Sequence, residues 1–360
     1  MTRVSPARGA SPSMTITIKD VAGLAGVSVA TVSRVLNASA PVLEETRDRV
    51  LAAAAELRFS PNGAARSLIT QRSMAIGVIL PDLYGEFFSE LLRGIDQAAQ
   101  SARYSLLVSS SHHDVRGIET AVRVIRGRVD GLLVMAPEVP RSALAGALPH
   151  DVPTVLLAGR AGPTGDAHAI TVDNYGGAAA MTRHLLSLNH RRIGFIAGAA
   201  HNADAQARER GHRAAQRAAH IADDPALVVR GNFTEDGGAE AARALMSLAS
   251  PPTAIFAAND AMAVGALAFL REAGIDVPSR MAVAGFDDIP VARFLNPPLT
   301  TIRVGIAEFG ARGTQSLLDV LPASPSRRAT RAATARRDVI PTELVVRDSC
   351  GAANRDSFLA

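Results

Sequence analysis

The sequence predicts a small all-α head, a hinge and a large α/β body of two lobes built on parallel sheets. Residues 15–59 place apolar side chains at helical spacing, whereas from Ser73 onward short β-rich runs alternate with Ala- and Leu-rich helical stretches. Strands that alternate with helices predict parallel sheets with helices on both faces. The body of 288 residues is long for one such domain, so we expect two lobes with a cleft between them.

The composition favours a soluble cytoplasmic protein with packed cores. Of 360 residues, 48% are hydrophobic, yet no apolar run approaches the length of a membrane span. Cys350 is the only cysteine, which excludes an internal disulfide framework and Cys-rich zinc modules. Residues 1–13 lack the apolar segment of a secretory signal. We expect residues 1–14 to be a disordered extension, or translation to begin at Met14.

The positive charge of the chain is concentrated at its start. Residues 1–72 hold nine basic and five acidic side chains, which accounts for the whole net charge of +4. A basic head joined to a neutral body is typical of a nucleic-acid-binding module attached to a body with another task. An excess of four charges is small, so chance remains the alternative interpretation.

Three short helices are predicted in the head. The run "IKDVAGLA" has helical spacing and is ended by Gly26. Ser28 is a suitable N-cap for a second helix that runs to about Leu36, with Asn37 as a plausible stop. The third helix, in "LEETRDRVLAAAAELRF", has acidic residues in its first turn and arginine near its end, as the helix dipole prefers.

The remaining boundaries follow from composition. We place the head at residues 15–60, the hinge at 61–72, with one helical turn at Ala64–Leu68, and the body at 73–360. Residues 321–338 are rich in Pro, Ala and Arg and are predicted to form a flexible loop before a last strand, "TELVVR". Other predicted strands lie in "MAIGVIL", "YSLLVSS", "VDGLLVMA", "PTVLLA", "RIGFIAG", "TAIFAA" and "MAVAGF".

Two helices joined through Gly26, the second of them N-capped, form a helix-turn-helix pattern. Such a second helix enters the major groove of DNA, with its N-terminal residues at the base edges. Val29 and Ala30 can make only apolar contact there, most naturally with a thymine methyl group, and Arg34 can reach guanine or a phosphate. The hydroxyl groups suited to phosphate contacts are those of Ser28, Thr31 and Ser33.

The alternative for this segment is a generic three-helix bundle in which Arg34 is merely solvated. The pattern of residues favours DNA binding over that alternative.

A resemblance to a known family supports the same interpretation. The segment "TIKDVAGLAGVSVATVSRVLN" closely resembles the N-terminal signature of the lactose/galactose repressor family of bacterial transcription regulators. Later segments resemble the family in the expected order: "FSPNGAARSL", "RSMAIGVILPD", "HLLSLNHRRIGFIAG", "FAANDAMAVGAL", "VAGFDDIPVARFLNPPLTTIR" and "IPTELVVRDS".

The resemblance implies a helix-turn-helix head, a hinge helix and a two-lobed body like the periplasmic sugar-binding proteins. Because the chain of such a body crosses between lobes three times, we place lobe one at about 73–171 and 302–335, and lobe two at about 172–301 and 339–360. It also implies a homodimer whose two heads bind a near-palindromic operator.

The resemblance also assigns residues of the hinge. Leu68 falls at the family's leucine that pries apart a base step in the minor groove, a wedge whose cost is offset by contacts to the bent duplex. Ala65 lies beside it. Without the resemblance, Leu68 would be a packing residue of a linker helix. The predicted hinge contacts with DNA are Asn62, Ala65, Arg66 and Leu68.

The effector contacts implied by the resemblance are Arg208, Asn259 and Asp287, with Phe87 and Phe88 as a wall of the pocket. First-lobe core is the alternative for the two phenylalanines. A fork-shaped donor, an amide, a carboxylate and aromatic walls suit a polyhydroxylated ligand, so a sugar is the favoured effector and a nucleobase or nucleoside the alternative.

Two departures from the family pattern bear on that pocket. His212 stands where the family has an aromatic residue after Arg208. Residues 158–160, Ala-Gly-Arg, lack the Asp or Asn that often precedes the arginine and accepts a ligand hydroxyl group.

Other classes of function are less well supported. The sequence contains no Gly-rich phosphate loop, no Gly-x-Ser-x-Gly elbow and no metal-spaced histidines. The pair His112–His113 follows a predicted strand end and could line the cleft, but an exposed turn is the favoured interpretation. We therefore expect no catalysis, cofactor, metal or membrane partner. A periplasmic sugar carrier is opposed by the head, and a purely architectural DNA-binding protein by the cleft residues.

Overall fold

The computed structural model describes residues 16–37, 40–59, 72–158, 168–321 and 337–352. The chain divides into two compact units, Met1–Ser73 and Met74–Ala360. They are the head with the hinge, and the body.

The head is a three-helix unit, as predicted. Its helices are α1 (Ile18–Ala25), α2 (Val29–Asn37) and α3 (Glu44–Glu56). One valine from each helix is fully buried in the common core, namely Val21, Val32 and Val50. Helix α3 ends at Glu56, two residues before the Arg58 that we expected near its end.

The turn between α1 and α2 explains how the head brings its second helix into place. Gly26 lies in the left-handed region (φ 63°), where a glycine pays no steric penalty. The Ser28 hydroxyl oxygen then accepts a hydrogen bond from the Thr31 backbone N–H (3.1 Å). The predicted N-cap of α2 is thereby confirmed.

The body alternates strands and helices. Its elements in chain order are β1 (Ala75–Leu80), α4 (Glu86–Ser101), β2 (Ser105–Ser110), α5 (Val115–Ile125), β3 (Gly131–Met135), α6 (Arg141–Ala147), β4 (Thr154–Leu157), β5 (His168–Val172), α7 (Asn174–Ser187), β6 (Ile193–Ala197), α8 (Ala203–Ala218), β7 (Val228–Arg230), α9 (Glu235–Met246), β8 (Ala254–Ala257), α10 (Asp260–Glu272), β9 (Ala282–Ala284), β10 (Thr301–Arg303), α11 (Ile306–Val320), β11 (Arg337–Ile340) and β12 (Glu343–Val345).

Two parallel sheets define the two lobes. Lobe one has six strands in the order β2-β1-β3-β4-β5-β11, and lobe two has four in the order β7-β6-β8-β9. The central strands β1, β3, β6 and β8 are buried along their whole length, as expected where helices cover both faces. A separate antiparallel pair, β10 with β12, lies outside both sheets.

The chain passes between the lobes three times, after β5, after β10 and after β11. The first crossing follows Val172 and the third follows Ile340, so both lie close to the expected boundaries. The predicted loop 321–338 was too long at its end, because residues 337–340 form β11 and pair with β5. Residues 322–336 lie outside the described residues.

Candidate functional site

The N-terminal half of α2 carries the predicted base-reading surface of the head. Ser28, Val29, Ala30 and Arg34 are exposed, and Val29 keeps 41% of its accessible surface although it is a large apolar residue. Thr31 and Ser33 are half-buried. The exposed methyl groups of Val29 are therefore accessible for the apolar contact with a base that we predicted at this position.

Two hydroxyl groups lie together at the start of α2. The hydroxyl oxygens of Ser28 and Thr31 lie 2.9 Å apart, and both belong to the first turn of the helix. Backbone N–H groups of a first helical turn, together with such hydroxyl groups, form a site suited to a phosphate. The predicted hinge contacts Asn62, Ala65, Arg66 and Leu68 lie outside the described residues.

In the body, Arg208 of α8 is the centre of a buried polar cluster. Its Nε donates to Asn174 Oδ1 (2.8 Å) and its Nη1 to the Ala258 carbonyl oxygen (2.5 Å). Its Nη2 lies 3.0 Å from Asp287 Oδ1, an ion pair in which that oxygen receives no hydrogen bond of good geometry from the described residues. The guanidinium carbon lies 3.8 Å from the centroid of the Phe286 ring. Arg208 is thus held by contacts in several directions.

The cluster forms because parallel strands end at one edge of a sheet. Ala258 directly follows β8, and Asp287 lies three residues after β9, in the same four-stranded sheet. The carboxyl edge of such a sheet is where ligands of α/β proteins bind. The structure thus brings two of the predicted effector contacts, Arg208 and Asp287, into direct contact.

Asp287 has an unusual backbone conformation and a carboxyl group with a raised pKa. Its φ of 116° lies in a region that non-glycine residues rarely adopt, a cost on the order of 1–3 kcal/mol of the kind found at functional sites. Burial raises the pKa of its carboxyl group to about 6, against the opposing attraction of Arg208.

Asp260 is a second buried carboxyl group, which the sequence reasoning missed. It is fully buried, its Oδ2 accepts from the Ile289 N–H (2.9 Å), and its Oδ1 lies 2.5 Å from Thr301 Oγ1. Burial, and then the nearby charge of Asp287, raises the pKa of Asp260 well above its usual range. The contact with Ile289 ties the segment that carries Asp287 to the start of α10.

Asn259 serves as the N-cap of α10. Its Oδ1 accepts from the Met262 N–H (3.0 Å), and its Nδ2 donates to the Phe233 carbonyl oxygen (3.1 Å). The structure thus gives this predicted ligand contact a structural task, and within the described ranges one of its two amide N–H groups is left for another partner.

Phe87 and Phe88 lie in the first turn of α4, in lobe one. Both are half-buried, and their rings meet edge to face with centroids 5.4 Å apart. Both pack against the main apolar core, so the geometry is compatible with a pocket wall and with the first-lobe core that we gave as the alternative.

His212 belongs to the core of lobe two. Its ring stacks on Phe195 with centroids 4.7 Å apart, and its Nδ1 lies 2.9 Å from Thr182 Oγ1. Burial lowers the pKa of His212 to about 3, so the ring is neutral near pH 7. His212 fills the place of an aromatic core residue.

Asn174 is a further residue that the sequence reasoning missed. It is buried at the start of α7, and its Nδ2 donates to Asp204 Oδ1 (3.0 Å) while its Oδ1 accepts from Arg208. Asn174 lies two residues after β5, and polar residues at strand ends face the ligand edge of a sheet, but no strand was predicted over β5 and this signal was therefore not used.

Within the described ranges, no group of three His, Cys, Asp or Glu side chains could hold a metal ion. No helix of these same ranges is long and apolar enough to cross a membrane.

Comparison with known proteins identifies the family. Residues 17–62 match the family described as bacterial regulatory proteins, lacI family, and residues 182–350 match a periplasmic binding protein-like domain. A Salmonella typhimurium protein named HTH-type transcriptional regulator GalS is 39% identical over 84% of this chain and 89% of its own length. A Haemophilus influenzae protein named HTH-type transcriptional repressor PurR is 34% identical over 84% of this chain and 90% of its own.

Solved structures agree with these relatives. A lac repressor dimer bound to operator and the anti-inducer ONPF is 28% identical, has a TM-score of 0.81, and is matched over 93% of this chain and 99% of that chain. A complex of the transcriptional regulator CelR with cellobiose is 30% identical, has a TM-score of 0.68, and is matched over 93% of this chain and 100% of that chain. The chain belongs to the LacI family of bacterial regulatory proteins, and the predicted fold class is confirmed.

Proposed function

We propose that this protein is a homodimeric, sequence-specific DNA-binding repressor of carbohydrate-utilisation genes, controlled by a small sugar-like effector and acting in the cytoplasm. The observation that carries the proposal is the exposed polar and apolar surface of α2 in a chain whose body holds the buried Arg208–Asp287 cluster. The relatives named above are transcriptional regulators, which supports a binding protein rather than an enzyme.

The head supplies operator recognition. Helix α2 enters the major groove, where Val29 and Ala30 make apolar contacts and Arg34 reaches a guanine edge or a phosphate. The dimer presents two such helices to the half-sites of a near-palindromic operator. Leu68 of each hinge acts as the minor-groove wedge.

The body supplies effector recognition. Arg208, Asn259 and Asp287 of lobe two offer donors and an acceptor to neighbouring hydroxyl groups, while Phe87 and Phe88 of lobe one cover the apolar faces of a sugar ring. A ligand between the lobes favours one closure angle, and it shifts DNA binding only through its different affinities for the two states.

Two measurements test the proposal. Selection from a random duplex pool by the full chain should enrich a near-palindromic site, and enrichment of no sequence would contradict specific repression. A thermal-shift screen with D-ribose, D-galactose, cellobiose and hypoxanthine should show stabilisation by a sugar, since a ligand at 100 times its Kd adds about 2.7 kcal/mol. Stabilisation by hypoxanthine alone would replace the sugar with the nucleobase alternative.

A further inference from the structure

A second polar cluster lies where the two lobes of the body touch. Glu138, three residues after β3 in lobe one, accepts a hydrogen bond through Oε1 from Nδ2 of Asn202 in lobe two (2.6 Å). His113 Nδ1 of lobe one lies 3.4 Å from the same oxygen. The Ala203 backbone N–H donates across the lobes to the Pro137 carbonyl oxygen (2.9 Å). The pair of histidines expected in an exposed turn thus contributes one ring to an inter-lobe contact.

The other carboxylate oxygen of Glu138 is unpaired. The Glu138 side chain is only 5% exposed, and its Oε2 is buried with no hydrogen-bond partner among the described residues. A buried acceptor without a donor is costly, and native proteins tolerate few of them. A bound molecule that donates a hydrogen bond to this oxygen would therefore remove the cost of leaving it unpaired.

The same cluster is connected to the Arg208 site through hydrogen bonds. Asn202 is the N-cap of α8, where its Oδ1 accepts from the N–H groups of Asp204 and Ala205. Asp204 Oδ1 accepts from Asn174, which in turn accepts from Arg208. Asn202 and Arg208 are six residues apart, at the N-cap and in the second turn of α8, and six residues of helix rise about 9 Å.

We propose that Glu138 is a ligand-binding residue of lobe one, whose Oε2 accepts a hydrogen bond from a hydroxyl group of the effector. The inference rests on the proposed effector-controlled function and adds to it a polar contact from the lobe that otherwise offers aromatic rings. Asn202 holds the Glu138 carboxylate in place through Oε1, so the free oxygen is fixed before the ligand arrives. Such preorganisation makes a charge-assisted hydrogen bond strong and selective for a donor at one ring position.

A purely structural role for Glu138 can be separated from ligand binding with a matched residue. Glu86 also joins the lobes, because its Oε2 accepts from the Val291 backbone N–H (2.9 Å), but Glu86 is exposed to solvent. Glu138→Gln and Glu86→Gln both replace one inter-lobe carboxylate with an amide that can still accept the existing hydrogen bond. Only Glu138→Gln also replaces a buried unpaired acceptor with a donor.

The experiment measures binding of D-ribose, D-galactose, cellobiose and hypoxanthine to the full chain by calorimetry. For the sugar that binds the wild type, Glu138→Gln should weaken the affinity about 10- to 100-fold, as for loss of a hydrogen bond to a charged group. Glu86→Gln should bind that sugar like the wild type. The melting temperature of Glu138→Gln without ligand should stay close to that of the wild type, because the amide oxygen can still accept the hydrogen bond from Asn202.

Monodeoxy analogues of that sugar give the deciding readout. If Glu138 accepts from one hydroxyl group, removal of that group weakens binding to the wild type but not to Glu138→Gln, a coupling that a structural role would not produce. Unchanged sugar affinity in Glu138→Gln, or equal losses in both glutamate variants, overturns this inference and leaves the proposed function intact. Absence of sugar binding by the wild type overturns the proposed effector class, and this inference with it.

Discussion

The two lobes of the body share one architecture but differ in where they place charge. Lobe two buries Arg208, Asp260 and Asp287 at the carboxyl edge of its sheet, whereas lobe one offers the half-buried Phe87 and the carboxylate of Glu138, which is buried where the lobes touch. The difference teaches that polar groups which hold one lobe together can be separated from a polar group placed at the contact between the lobes. Changes in the lobe-two cluster should alter both stability and ligand affinity, whereas Glu138→Gln in lobe one should alter ligand affinity without lowering stability.

The largest expected effect concerns the pH dependence of lobe two. Because the pKa of His212 is about 3 in the folded protein, against about 6.5 for a free histidine, the unfolded chain binds a proton first on acidification. Stability from this residue is therefore complete above pH 6.5 and falls by about 4–5 kcal/mol as the pH drops to 3. His212→Phe should remove this loss.

The measurement is chemical denaturation of the wild type and His212→Phe between pH 3 and 7. The difference between the two curves isolates His212 from Asp287, whose raised pKa acts with the opposite sign. Replacement of the exposed His220 by Gln on the same lobe is the control. A constant difference between wild type and His212→Phe across this range would show that burial does not lower the pKa of His212.

The next effect tests whether the charged cluster holds lobe two together. Arg208→Ala leaves Asp287 buried without its cation and removes the donors to Asn174 and Ala258. We expect the free energy of unfolding to fall by about 3–5 kcal/mol, as when one partner of a buried ion pair is removed. In the matched control, Arg210→Ala on the exposed side of the same helix should change it by less than about 0.5 kcal/mol. Similar losses in both variants would contradict a central role for Arg208.

The smallest expected effect concerns DNA binding by the head and should not change either lobe of the body. Arg34→Ala in the head should cost about 1–3 kcal/mol on the selected operator if Arg34 binds a guanine edge, and about the same on all duplexes if it binds a phosphate. Titration of operator and scrambled duplexes at several salt concentrations separates these outcomes. Sugar binding should stay at the wild-type value, and the exposed Arg47→Ala variant on α3 is the control. No loss on either duplex would remove Arg34 from the interface.

The sequence predicts most of the fold because most helices and strands are specified by patterns within a few residues. The end of α1 at Gly26, the Ser28 cap and the apolar strands β1, β3 and β6 all follow from patterns within a few residues. The strands β5, β7, β10 and β11 were missed, since each has only three to five residues and is held in place by pairing with another strand of the fold.

The residues of the candidate site likewise fall into two groups, those that the sequence predicts and those that it does not. Arg208 and Asp287 were found because they sit in recognisable motifs, and the structure brings them into contact. Asp260 and Glu138 were missed, because what distinguishes them is burial and the identity of neighbours from other parts of the chain. A sequence pattern does not report whether a carboxylate is paired.

The coupling between the two sites is tested most directly by operator titration with and without the sugar that binds the wild type, using wild type and Asp287→Asn. The sugar should change operator affinity of the wild type about 5- to 150-fold, the range of a coupling of 1–3 kcal/mol. Asp287→Asn should bind the operator as the wild type does without sugar, because the head is unaltered, and its operator affinity should no longer depend on the sugar. If Asp287→Asn responds to the sugar as the wild type does, the effector site is not at the Arg208–Asp287 cluster.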